Sequence, residues 1–201
     1  MSVNQTQSVK HFNVDPSALG LFGLAMITLV ASSQKLGITE GTSLVIPWAI
    51  FLGAFAQLFA CLEDNKRGNL FGTTAFGAYA FFWFSVGTTW LIQNGVFGPD
   101  MQAMADSKQL GFAFVGYLIF TLYMTVGSLK TNKVLFIIFV LIDFLFIGLS
   151  LTTFGIAEHA THMLAAYSEL AIAMVSFYGS AAHVINHQFG RVVLPLGKAI
   201  L

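Results

Sequence analysis

Charge is what this sequence has least of. Only 9% of its 201 residues are charged, nine basic and nine acidic, against about a quarter in soluble globular domains, so a soluble domain is excluded. A net charge of zero with nine basic residues gives no basic surface that would call for nucleic acid. The single cysteine, Cys61, rules out an intramolecular disulfide. Residues 1–14, MSVNQTQSVKHFNV, lack the apolar core of a secretory signal and read as a retained polar tail. No apolar stretch carries a regular array of Arg or Lys, which argues against a voltage sensor or a pore lined with fixed positive charge. Neither a potassium-filter sequence nor a Gly-rich phosphate loop followed by Lys is present.

What is present is apolar: 56% hydrophobic residues and a mean hydropathy of +0.77. Six apolar stretches, residues 18–34, 43–62, 71–92, 110–129, 134–154 and 163–185, are each long enough to cross a bilayer as a helix. They do not alternate with period two, so transmembrane strands are not expected. The expected fold is an all-α integral membrane protein with six transmembrane helices in one bundle. Its parts are a polar tail over residues 1–14, the membrane domain over 15–186 and a short tail over 187–201. Lys10, Lys66, Arg67, Lys130, Lys133, Arg191 and Lys198 fall on the side of the two termini, and only Lys35 and Lys108 on the other. The excess of basic residues places both termini in the cytoplasm.

Polar groups inside the spans are functional candidates, because a charge near the bilayer centre costs at least ~2.5 kcal/mol on insertion scales. Asp143 lies deep in the fifth span, where it either takes part in proton movement or locks two helices as a hydrogen-bonded acid. Glu169, Ser176 and His183 recur every seven residues and share one face of the sixth span. With Ser176 expected at the depth of Asp143, these groups are candidates for a shared proton or water path. Gly72, Phe76, Tyr79 and Trp83 form a stripe on the third span, entered past Asn69 and Thr73. The EHATH stretch, with Glu158, His159 and His162, lacks the two-histidine spacing of a zinc helix and reads as a wet external loop, so no metal is expected.

The stretch DPSALGLFGLAMIT, residues 15–28, starts a helix. Asp15 or Ser17 can cap it and Pro16 suits the first turn. Gly20 and Gly23 either pack against neighbouring helices or leave backbone open to an anion. Neutral donors of this kind are the route left for holding an anion.

Three blocks, taken in order, resemble the acetate uptake transporter family, also called the succinate–acetate permeases. DPSALGL (15–21) resembles the signature NPAPLGL. GAFAQLFACLEDNKRGNLFGTTAFGAYAFFWF (53–84) resembles the family's GGxAQxxAGxxExxxGNTFGxTAFxSYGxFW region. NHQFGRVVLPLG (186–197) resembles its carboxyl-terminal block. The resemblance implies passage of acetate and related small carboxylates, with succinate in some members, through a path in each six-helix protomer of a hexamer. It implies a hydrophobic narrowing, which falls on Leu24, Tyr79 and Ile142 in this sequence. Asp15, Gln57, Asn69, Thr73, Thr74 and Ser176 are then expected to offer hydrogen bonds, while Asp143, Glu169 and His183 are proton-linked candidates from the residues themselves and not from the resemblance. No organic cofactor and no enzymatic activity are expected, and the location is the cell membrane, in contact with lipid.

The chain departs from the family pattern at several of these positions. Asp15 stands where the signature has Asn, Leu70 replaces a Thr, Asp64 aligns with a family Glu, and Leu24 replaces a Phe. Asp143 and His183 are not part of the pattern. A carboxylate at the mouth repels an anion unless it is protonated or turned away. The alternative function is a membrane-embedded acetate sensor or interaction protein without flux.

Overall fold

A computed structural model describes residues 14–201; residues 1–13 of the polar tail, Lys10 among them, lie outside the described residues. Six helices are long and apolar enough to cross a membrane: α1 (Ser17–Lys35), α2 (Ile46–Lys66), α3 (Leu70–Gln93), α4 (Ser107–Ser128), α5 (Lys133–Thr153) and α6 (Glu158–Phe189). A short helix, Pro99–Ala103, lies between α3 and α4. Asn69, Asp106 and Asn132 cap α3, α4 and α5, each accepting a backbone N–H in the first turn, as their short polar side chains favour.

Two boundaries differ from the sequence reading. EHATH is the first turn and a half of α6 rather than a loop. Thr161 turns inward and is buried, and the His162 ring nitrogen Nε2 lies 2.8 Å from the Lys35 carbonyl oxygen. Tertiary contacts of this kind extend the helix beyond its apolar window. At the other end α6 continues past residue 186 to Phe189. Gly190, at φ 61°, then reverses the chain.

α1 packs chiefly on α6, α6 on α5, α5 on α4, and α2 on α3 and α1. Gly20 and Gly23 serve that packing. A Cβ at Gly20 would overlap the Phe76 ring, and one at Gly23 would overlap the Leu52 carbonyl oxygen. These glycines let α1 approach α2 and α3 closely, so their backbone is not open to a passing anion. Gly53 does the same for the Trp83 ring. The middle of α2, Ala49–Ala56, is a π-helix, a local widening often found at functional sites. Outward-facing Phe51, Phe59, Phe81 and Phe112 are exposed, a surface suited to lipid rather than water.

Candidate functional site

The starts of α1, α3 and α5 and the ends of α2, α4 and α6 meet on one side of the bundle. A cavity of about 250 Å³ opens there, with Asp15, Asn69, Thr131 and His183 at its mouth. Its deeper wall includes Leu24, Gln57, Tyr79 and Ile142. Leu24 is seven residues into α1, and Tyr79 and Ile142 are nine into α3 and α5, so these side chains sit roughly 10–14 Å from the helix starts. The volume falls below the ~300–1,000 Å³ usual for drug-sized ligands and suits a solute of few heavy atoms.

The mouth is charged. Arg67 Nη1 lies 3.2 Å from Asp15 Oδ1 and 3.7 Å from Asp64 Oδ1, and His183 Nδ1 lies 3.3 Å from Asp15 Oδ2. Asp15 Oδ1 also accepts the Ser17 amide at 3.0 Å. Asp15 is therefore the residue that satisfies the start of α1, and Ser17 is not a cap. The hydrogen bond to His183 leads, with the Ser17 amide helping, in holding the Asp15 carboxyl well below the usual carboxylate range, against the opposing effect of partial burial. The carboxylate at this position is turned onto Arg67 and His183.

At the deeper level the walls are apolar. Leu24, Tyr79 and Ile142 are all buried. The Tyr79 hydroxyl lies 2.9 Å from Thr121 Oγ1, and the Thr121 hydroxyl donates to the Tyr117 carbonyl at 2.7 Å. With the Thr121 proton committed, Tyr79 is the donor of this pair and presents its ring to the cavity. Phe120, Phe139 and Tyr117 pack around that ring at centroid distances of 5.6–6.4 Å. Gln57 Nε2 donates to the Gly53 carbonyl at 2.8 Å, so the side chain is turned toward the π-helical backbone.

Other sequence candidates lie elsewhere. Thr73, Thr74 and Ser176 do not line this cavity. Gly72, Ala75, Phe76 and Tyr79 form the cavity face of α3, and Thr73 and Thr74 fall off that face by their place in the helical turn. Asp143 Oδ2 accepts from Thr125 on α4 at 2.7 Å. Glu169 Oε2 pairs with Lys35 Nζ at 2.8 Å, whereas His183 pairs with Asp15 about 21 Å further along α6. Glu169 and His183 on α6 thus pair with groups at the two ends of α1, while Asp143 pairs with α4.

The sequence reading missed two parts of the site. Asp64 and Arg67 were visible as charges at the end of an apolar run, yet only the fold brings them to Asp15. Leu196 reaches the cavity because residues after α6 fold back: Asn186 accepts the Val193 and Leu194 amides at 2.7 and 2.9 Å and donates to the Leu194 carbonyl at 2.8 Å. The Val134 amide donates to the Leu196 carbonyl, tying this segment to the start of α5. Among the described residues no group of three or more His, Cys, Asp or Glu is placed to hold a metal.

Against this geometry the comparisons with known proteins are decisive, since residues 1–198 match one family throughout. The chain belongs to the GPR1/FUN34/yaaH family. A relative within it, the succinate-acetate/proton symporter SatP of Escherichia coli, is 31% identical over 185 residues, 92% of this chain and 96% of the relative. The ammonia transport outward protein 2 of Saccharomyces cerevisiae is 28% identical over 188 residues, 92% of this chain and 66% of the relative. The solved structure of the bacterial acetate channel SatP superposes with a TM-score of 0.84 at 31% identity, covering 92% of this chain and 99% of that one. The all-helical fold with six membrane-spanning helices is therefore the fold of the GPR1/FUN34/yaaH family.

Proposed function

We propose that the chain transports acetate and related small carboxylates, succinate among them, across a membrane through the cavity of each protomer. The observation that carries this reading is the cavity itself: a charged, hydrogen-bonding mouth leads to an apolar level lined by Leu24, Tyr79 and Ile142. Three helix starts surround the mouth, and their positive ends favour an approaching anion. Arg67 adds a cation that Asp15 and Asp64 balance. The apolar level then selects solutes able to shed water. SatP, the relative and structural neighbour named for acetate, supports the substrate class. Passage takes the form of a channel or a proton-linked permease, for which Asp143, Glu169 and His183 were the sequence candidates.

The wider assignment follows from the same reading. Lys66, Arg67, Lys130, Lys133, Arg191 and Lys198 lie on the side of the mouth, which orients the mouth and both termini to the cytoplasm of a multi-pass protein of the cell membrane. The assembly is a homo-oligomer, a hexamer by family resemblance, and the protein is a transporter rather than an enzyme. Labelled acetate uptake into proteoliposomes tests the function: uptake above empty liposomes is expected, and its absence with and without a pH gradient would contradict it. The yeast relative's name supports a second reading, passage of ammonia. Parallel uptake of a labelled methylammonium probe separates the two, since transport of the amine without acetate favours the second.

A further inference from the structure

Asp64, near the end of α2, is 1% exposed and lines the cavity. Neither of its carboxylate oxygens has a hydrogen-bond partner among the described residues. Arg67 Nη1, 3.7 Å from Oδ1, is shared with Asp15. Gly72 packs so closely on the carboxylate that a Cβ there would overlap it, and the uncharged Asn69 amide is the polar group beside it. A buried charge is costly unless it is paired and hydrogen-bonded. The other buried acids have such a bond, Glu169 with Lys35 and Asp143 with Thr125. Asp64 has a cavity instead.

Deeper in the cavity, the three residues of the apolar level offer no free donor: two are aliphatic, and the Tyr79 hydroxyl is given to Thr121. A bare carboxylate there loses hydration with little in return, whereas the neutral acid does not carry that cost. We propose that Asp64 protonates the entering carboxylate, so that it passes Leu24, Tyr79 and Ile142 as the neutral acid. The assignment rests on the carboxylate-transport reading. In the step, the O–H bond of protonated Asp64 breaks and an O–H bond forms on the substrate carboxylate. Asp64 is left as the carboxylate and takes its next proton from water at the mouth. The charged and titratable groups around it are Cys61 and Arg67 on its own segment, Asp15 ahead of α1, and His183 on α6. α3 and the turn before α5 present uncharged Asn69, Thr131 and Asn132, with Tyr79 deeper.

The test compares wild type and Asp64→Asn in proteoliposomes, measuring initial uptake of labelled acetate between about pH 5 and about pH 8 with the empty-liposome rate subtracted. The variant is left with the acid already present in water, so its rate falls about tenfold per pH unit. Wild-type uptake falls less steeply, and the ratio of wild type to variant grows by about tenfold or more across the range. Equal slopes would overturn the assignment. No wild-type uptake at any pH would sink the carboxylate reading itself, a different failure. Infrared pH-difference spectra cover the case of a variant that moves nothing: a protonated-carboxyl band in wild type, perturbed by acetate and missing in Asp64→Asn, is expected. An unchanged band in the variant overturns the assignment.

Discussion

Tyr79 carries two roles on one side chain. Its ring forms part of the apolar level and its hydroxyl is tied to Thr121, so the donor does not depend on a solute. Tyr79→Phe keeps the ring and removes the bond. The expected outcome is a stability loss of about 1 kcal/mol, read as thermal unfolding in detergent, with acetate uptake within about twofold of wild type. Collapse of uptake would mean that the hydroxyl serves the solute. Asp15 supplies a prediction about pH. Its folded-state carboxyl is held below the ordinary range, chiefly by the His183 hydrogen bond. Its contribution is therefore fully present above the ordinary carboxylate pKa of ~4 and is lost only as pH falls through the depressed value. Asp15→Asn is expected to change uptake by the same factor throughout about pH 5 to 8, leaving the shape of the pH profile as it was. A displaced profile would contradict this account of Asp15. Neither residue's partner was readable in advance, because Thr121 and His183 lie far from Tyr79 and Asp15 in sequence and only helix packing joins them.

At the scale of elements, apolar run length specified the six helices, since each must satisfy its backbone internally within lipid. What run length missed was the start of α6, where polar EHATH is helical because Thr161 and His162 find partners on neighbouring segments. It also missed the fold-back after α6, which depends on Asn186 bonding residues 193 and 194. Small residues in α1 were legible as packing or as an open backbone, and the contacts decide for packing. Gly23→Ala is therefore expected to destabilise the bundle by about 1–3 kcal/mol, seen as a lower unfolding temperature in detergent, because the Leu52 carbonyl it meets is backbone and cannot turn aside. An unfolding temperature at or above that of wild type would contradict the close α1–α2 contact.

The whole molecule joins a charged mouth to an apolar level within one six-helix bundle. Residue spacing did not locate that level; the family resemblance named Leu24, Tyr79 and Ile142, and the fold sets all three on the wall of one cavity. The hydrogen-bonding candidates divided: Asp15, Gln57 and Asn69 line the cavity, while Thr73, Thr74 and Ser176 do not. Residue type suggested all six, and helical facing sorted them. The central claim is that small carboxylates pass through this cavity and across its apolar level. The most direct measurement is labelled acetate uptake into proteoliposomes holding wild type or Leu24→Trp, both verified as folded by their size-exclusion profiles. Wild type is expected to exceed empty liposomes, and Leu24→Trp, which fills the level with a larger ring, to lower that excess by about tenfold or more. Wild-type uptake equal to empty liposomes, or a tryptophan variant as fast as wild type, would contradict the account.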